Sequence, residues 1–135
     1  MRWTVALAVP VLGSILMLGA VAPSAVAGRG SVLRALDPDH DGTVDLNEAK
    51  AAASKLFDRL DRDHDGTLDR RELRGRLSAK TFAAADPDHD GTLTKDEYLA
   101  LVEQLFNAAD PDKDGTLDVK ELRSPAGRAL VRLIR

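Results

Sequence analysis

The sequence predicts an all-α fold: a compact helical bundle in which helices alternate with acidic loops. Three observations predict it. A heptapeptide of one design, "DPDHDGT" at 37–43, returns as "DRDHDGT" at 61–67, "DPDHDGT" at 86–92 and "DPDKDGT" at 110–116. The copies start at 37, 61, 86 and 110, so once a twelve-residue loop is set aside only twelve or thirteen residues separate one loop from the next. Those separating segments place apolar residues at i, i+3, i+4 and i+7, the period of a helix.

Extended to twelve residues, the repeats read "DPDHDGTVDLNE" (37–48), "DRDHDGTLDRRE" (61–72), "DPDHDGTLTKDE" (86–97) and "DPDKDGTLDVKE" (110–121). All four fit the EF-hand loop pattern D-x-D-x-D-G-x5-E. Positions 1, 3 and 5 supply carboxylates that converge as the backbone curls, and position 6 is the glycine of the sharp turn. Position 7 offers its carbonyl and position 12 a glutamate able to bind through both oxygens. Candidate ligands are therefore Asp37, Asp39, Asp41, Thr43, Asp45 and Glu48 in loop 1. Asp61, Asp63, Asp65, Thr67, Asp69 and Glu72 serve loop 2. Asp86, Asp88, Asp90, Thr92, Thr94 and Glu97 serve loop 3, and Asp110, Asp112, Asp114, Thr116, Asp118 and Glu121 serve loop 4.

Each helix has a stated reason. "SVLRAL" (31–36) enters loop 1 as a capped turn. "LNEAKAAASKLFDRL" (46–60) must leave loop 1 and enter loop 2 as one shared helix, with Ala49, Ala52, Ala53, Leu56, Phe57 and Leu60 on one stripe. "EYLALVEQLFNAA" (97–109) repeats the arrangement between loops 3 and 4 with Tyr98, Leu101, Val102, Leu105, Phe106 and Ala109. The connector "LRGRLSAKTFAAA" (73–85) is weakened at Gly75 and can restart at Ser78, so it folds back. After loop 4, "ELRSPAGRALVRLIR" (121–135) breaks at "SPAG" and resumes with Ala129, Leu130, Leu133 and Ile134 as a core-sealing helix. A helix of fifteen residues keeps its two loops about 20 Å apart. Loops 2 and 3 then meet across the bent connector, and loops 1 and 4 meet at the other end. Val44, Leu68, Leu93 and Leu117, all at position 8, are the expected short-strand contacts within each pair.

The N-terminus has a different composition. Arg2, an apolar run at 5–22 and a small-x-small ending at Ala25 and Ala27 predict a secretory signal peptide over 1–27 and a metal-binding domain over 28–135. Cleavage would place the domain in the periplasm and leave it no Cys, Met or Trp. Its core then rests on Phe57, Phe82, Phe106, Tyr98 and scattered aliphatics, thin for a domain of this size. A bound cation is the expected additional source of stability.

Net charge is −3, and all of the 22 acids except Asp58, Asp96 and Glu103 sit at ligand positions. That pattern describes acidic pockets on a neutral-to-basic frame, with no nucleic-acid patch and no acidic tail. Without Met, the domain lacks the adaptable groove of a calmodulin-like sensor. No Cys and no Ser-His-Asp set point to an enzyme. His40, His64 and His89 at position 4 read as solvated loop residues, and Tyr98 as core at a loop's edge, near enough to sensitise a luminescent ion.

Oxygen-only ligands select hard cations. Loops 1, 2 and 4 carry five carboxylates each and leave about three negative charges unbalanced around Ca²⁺, fewer around a trivalent ion. Proline at position 2 (Pro38, Pro87, Pro111) either stiffens the loop against a weakly charged ion or simply starts the turn. The repeated loops with Pro at position 2, the shared helices and the leader resemble the lanmodulin family, bacterial periplasmic lanthanide-binding proteins. "FDRLDRDHDGTLDRRELRGRLS", "KDEYLALVEQLF" and "ELRSPAGRALVRLIR" carry the resemblance across the whole domain. It implies selective binding of lanthanide(III) ions of the La, Ce and Nd class, with Ca²⁺ weaker, and ordering of the chain on binding. It also implies a link to methylotrophic lanthanide use, with the aspartates and glutamates named above as ligands. The expected partners are metal ions, with no nucleic acid, no membrane after cleavage and a monomeric chain; a protein partner that receives the metal would leave no motif here. A periplasmic calcium-binding EF-hand protein is the alternative. Arg62 replaces the proline in loop 2, and Thr94 removes a carboxylate from loop 3, which is expected to be the least biased toward trivalent ions.

Overall fold

Two fifteen-residue helices form the frame, and their first turns explain why they start where they do. In the computed structural model, which describes residues 31–135, Leu46–Leu60 (α2) follows N-cap Asp45 and Lys95–Ala109 (α4) follows N-cap Thr94. Each cap accepts the N–H of the residue three on, Glu48 or Glu97, whose carboxylate in turn accepts the cap's own N–H. These capping boxes satisfy donors that a helix start otherwise leaves unpaired. The expected signal peptide lies outside the described residues.

The inner stripes meet each other. Ala49, Ala53, Leu56, Phe57 and Leu60 of α2 are buried, as are Tyr98, Leu101, Val102, Phe106 and Ala109 of α4. Ala52 and Leu105, expected on those stripes, are only partly buried. The rings of Phe57 and Tyr98 pack edge to face with centroids 5.6 Å apart, the arrangement their quadrupoles favour.

Four shorter helices complete the bundle: Ser31–Leu36 (α1), Ala79–Ala85 (α3), Val119–Leu122 (α5) and Pro125–Ile134 (α6). The segment expected as a capped turn before loop 1 is thus the six-residue helix α1. The break expected at "SPAG" falls earlier. Arg123 ends α5, Ser124 caps α6 by accepting the Gly127 N–H, and Pro125 occupies the first turn. Proline suits that position because its φ is already helical and its missing N–H would have no partner there. Leu130, Leu133 and Ile134 of α6 are buried against α2 and α4.

The end of α6 is tied down from two directions. The buried Tyr98 hydroxyl donates to the Leu133 carbonyl at 2.6 Å. The Arg76 guanidinium donates to the main-chain oxygens of Arg132 at 2.8 Å and Arg135 at 2.7 Å. Both contacts serve carbonyls that a helix end leaves without internal partners. The start of α6 is fixed by close approach. A Cβ at Gly127 would lie 2.0 Å from the Glu121 carbonyl oxygen and 2.6 Å from the Leu122 Cα. Gly127→Ala is therefore expected to push α6 off α5 and cost about 1–3 kcal/mol, read as a lower thermal midpoint of the metal-loaded chain.

The fold is helical but not purely so. Two antiparallel two-stranded sheets link the loops: Val44–Asp45 (β1) with Thr116–Leu117 (β4), and Thr67–Asp69 (β2) with Thr92–Thr94 (β3). Val44 faces Leu117 and Leu68 faces Leu93, and all four side chains are fully buried. Between loops 2 and 3, Arg74 (φ 48°) and Gly75 (φ 74°) are both left-handed and turn the chain, and Ser78 restarts it by capping α3. Loop 2 consequently exits through turns rather than a helix. Among the described residues, no helix is long and apolar enough to cross a membrane.

Candidate metal centres

Each loop is folded by its own carboxylates. The position-1 aspartates, Asp37, Asp61, Asp86 and Asp110, are 4–8% exposed and are the buried charged residues of the described chain. Burying a charge is costly unless it is paired. One oxygen of each accepts the N–H of the position-6 glycine, at 3.0–3.1 Å for Gly42, Gly66, Gly91 and Gly115. The position-5 aspartates accept both the N–H and the hydroxyl of the threonine two residues on, so Thr43, Thr67, Thr92 and Thr116 brace the curl with their side chains as well. At position 4, His40, His64, His89 and Lys113 take left-handed φ of 55–61° and are exposed. Sequence reasoning placed these histidines in solvent but missed their backbone. The enrichment of His in this conformation was the available signal.

These constraints bring carboxylates together. Asp37, Asp39 and Glu48 place ligand atoms within 4.8 Å of one another, as do Asp61, Asp63 and Glu72, then Asp86, Asp88 and Asp90, then Asp110, Asp112 and Glu121. Asp41, Asp65 and Asp114 lie outside these groups, engaged with their threonines. Position 9 has a second duty. Asp45, Thr94 and Asp118 are N-caps, and one Asp69 oxygen likewise accepts the Arg71 and Glu72 N–H groups.

Three buried carboxylate oxygens have no hydrogen-bond donor: Glu48 Oε1, Asp61 Oδ1 and Asp110 Oδ1. An ionised carboxylate only accepts, so a cation is the partner that such oxygens fit. Proton binding carries the same sign. Burial alone would push the Asp37 carboxyl up. The Gly42 N–H, a bond with the Asp39 carboxyl and the N–H groups of His40 and Asp41 outweigh it and hold Asp37 below the usual range. That bond to Asp37, with burial and the Asp41 and Asp37 charges, holds Asp39 above the range despite the Asp41 N–H. Asp86 and Asp88 repeat the pattern. Burial, then the charges of Asp39, Asp45 and Asp37, raises Glu48 against the Asp45 N–H. Asp112 is raised too: the Asp114 N–H pulls it down, but burial and the neighbouring Asp110 and Asp114 carboxylates prevail. In loops 1, 3 and 4 at least one carboxyl thus holds its proton more readily than a free one.

Comparison with known proteins supplies the family. An EF-hand family model matches residues 54–78, 77–102 and 101–124. The chain is 67% identical over 126 residues to a lanmodulin of Methylorubrum extorquens, covering 90% of this chain and 95% of the relative. The chain belongs to the lanmodulin family. Within this lanmodulin-family chain the four loops are not equivalent. Loop 3 gathers Asp86, Asp88 and Asp90 instead of its glutamate, because Glu97 Oε2 is held by both the N–H and the hydroxyl of Thr94 at 2.8 and 3.0 Å. Loop 2, with Arg62 at position 2, is the one whose glutamate has both oxygens paired, Oε1 by the Arg62 N–H at 3.0 Å and Oε2 by the Asp69 N–H at 3.1 Å.

Proposed function

We propose that the chain binds trivalent lanthanide ions in preference to Ca²⁺ at its four loops, and that binding completes its fold. The buried oxygens without donors in loops 1, 2 and 4 carry the reading. The proposed ligands are the carboxylates of positions 1, 3, 5 and 12 (Asp37, Asp39, Asp41 and Glu48 in loop 1, and their equivalents), the position-7 carbonyls, and position 9 through whatever capacity its capping role leaves. Five carboxylates around one ion favour higher charge, since attraction scales with charge at fixed separation. Kinship with the lanmodulin family supports the same choice, with ions of the La, Ce and Nd class. The sites act as two pairs, loops 1 with 4 and 2 with 3, joined by α2 and α4 as shared helices. Residues 1–27 serve as a signal peptide delivering a monomeric domain to the periplasm, with metal ions as its partners.

Titrating the full chain with La³⁺ in the presence of excess Ca²⁺ tests the reading. La³⁺ is expected to fill the loops at concentrations at least a hundredfold below Ca²⁺, a gap of roughly 3 kcal/mol. Equal filling by the two ions would instead make the protein a calcium binder.

A further inference from the structure

A cleft of about 370 Å³ lies outside the acidic clusters, where α1, α5 and α6 meet. Its floor is aliphatic: Val32 and Leu33 of α1, Val119 and Leu122 of α5, and Val131 of α6. Leu122 is buried and the other four are half-buried, so part of this apolar floor stays in contact with solvent. Arg123, Arg128 and Arg132 line the same cleft and are exposed. Among the described residues the ion pairs are Lys50 with Glu103 and Lys95 with Asp58, and none of these three arginines joins one. The cleft is also tied to two loops. The Asp37 N–H donates to the Leu33 carbonyl at 2.9 Å, and the Leu122 N–H donates to the Asp118 carbonyl at 3.0 Å. Its walls are thus bonded to position 1 of loop 1 and position 9 of loop 4.

We propose that this cleft docks an acidic amphipathic helix of a partner protein, and that it does so when loops 1 and 4 hold their ions. The inference rests on the metal-binding reading above. Charge complementarity decides the occupant. A single carboxylate on an apolar tail could fill the floor, but it would leave at least one of the three guanidinium groups unanswered. Arg128 and Arg132 are four apart on α6, which sets their Cβ atoms about 6 Å apart on one face. Glutamates four apart on a partner helix repeat that spacing, and leucines beside them meet the aliphatic floor. Arginine suits such a rim, because its fork pairs with a carboxylate through two hydrogen bonds while its stem covers apolar surface. Electrostatics supplies the metal dependence. Val119 follows Asp118 and precedes Glu121 by two residues, and loop 4 carries five carboxylates in all: Asp110, Asp112, Asp114, Asp118 and Glu121. Without an ion these charges repel an acidic helix at the edge of the cleft. A trivalent ion cancels three of the five, and the arginines then prevail. The ion also fixes Asp37 and Glu121, and with them the ends of α1 and α5 that form two of the walls.

The probe is a fluorescein-labelled helical peptide of about 15 residues, with leucines on one face flanked by glutamates at i and i+4. Fluorescence anisotropy follows its binding to the full chain loaded with one La³⁺ per acidic cluster, which leaves no free ion for the peptide's own glutamates. Saturable binding is expected, with ¹⁵N amide shifts concentrated at Val32, Leu33, Val119, Leu122 and Val131. The double variant Arg128→Ala, Arg132→Ala is expected to bind about tenfold more weakly, the weight of two rim ion pairs. Both side chains are exposed, so this variant should keep the parent's helical signal and La³⁺ titration. Peptides with lysine in place of the glutamates, or serine in place of the leucines, should not bind. Chelating the La³⁺ should weaken binding of the parent at least tenfold. Unchanged affinity in the double variant, or equal affinity for the lysine peptide, overturns the docking site. Equal affinity with and without La³⁺ overturns its dependence on the ion. Self-association of the loaded chain through these residues, or binding to phosphatidylglycerol vesicles but not to the peptide, overturns the proposal by naming another occupant. The position-6 glycine N–H groups donate to the position-1 aspartates, so the amides of Gly42 and Gly115 report loops 1 and 4 before any peptide is added. Their failure to respond to La³⁺ would overturn the metal-binding reading itself, a result easily told from the others.

Discussion

Removing the cation from the loaded chain with a strong chelator is expected to abolish most of its helical circular-dichroism signal and to lower its thermal midpoint by tens of degrees. The expected size follows from linkage. An ion that binds only the folded chain at a thousand times its dissociation constant contributes about 4 kcal/mol per site, and the chain has four acidic clusters. For a domain of this length each kcal/mol moves the midpoint by about 4–8 °C. The metal-free chain has little to set against that loss. Its buried core contains four aromatics, Phe57, Phe82, Tyr98 and Phe106, and no disulfide. Four position-1 aspartates are buried within groups of two further acids each. Their mutual repulsion favours opening the loops, and loops that open release the capping boxes that start α2 and α4, because Asp45, Glu48, Thr94 and Glu97 belong to both. Circular dichroism and a thermal scan, with and without chelator, measure both quantities. A helical signal that survives chelation unchanged would mean that the helices stand without their ions.

That double use of Asp45, Glu48, Thr94 and Glu97 also marks how far the sequence could be read. The loops were legible because each of their positions has a fixed chemical duty, and four copies make coincidence untenable. The stripes of α2 and α4 were legible because Leu56, Phe57, Leu60, Val102 and Phe106 recur at the helical period, and all are buried. Local pattern failed where the deciding partner is distant or the element is very short. Strands of two or three residues fall below any periodicity window, so β1–β4 were legible only as short contacts at loop position 8, reached through the loop pairing and not through any strand pattern. Pro125 reads as a breaker until Ser124 is seen to cap the helix that it begins. The bond from the Arg62 N–H to Glu72 spans ten residues, and that from Tyr98 to Leu133 spans 35. Neither leaves a trace in spacing. The position-9 residues were read as ligands alone because sequence gives one residue one letter, whereas the fold gives Asp45 and Thr94 a helix to cap as well.

Tyr98→Ala is expected to be the most damaging single change in the core. The side chain is fully buried and lies at the junction of three helices: its own α4, α2 through Phe57 at 5.6 Å, and α6 through its hydroxyl on the Leu133 carbonyl. Truncation removes an aromatic ring from a well-packed site, which costs about 3–5 kcal/mol, and leaves that carbonyl buried without its donor. Tyr98→Phe separates the two effects. The ring stays, and the expected loss falls to about 1–3 kcal/mol for the unanswered carbonyl. Alkaline pH offers a third view of the same contact. Burial pushes the phenol up from its ordinary value, opposed only weakly by the Arg76 charge. Because the folded chain holds this proton more tightly than the unfolded one, the phenol's contribution is fully present below the unfolded value near 10. It is lost as pH rises from there through the higher folded value. The parent should therefore lose stability above about pH 10, with phenolate absorbance appearing only as it unfolds, since Tyr98 is the sole tyrosine. Tyr98→Phe should lack that alkaline decrement. Phenolate absorbance rising near pH 10 with the helical signal intact would show the hydroxyl open to solvent and the tie to Leu133 absent.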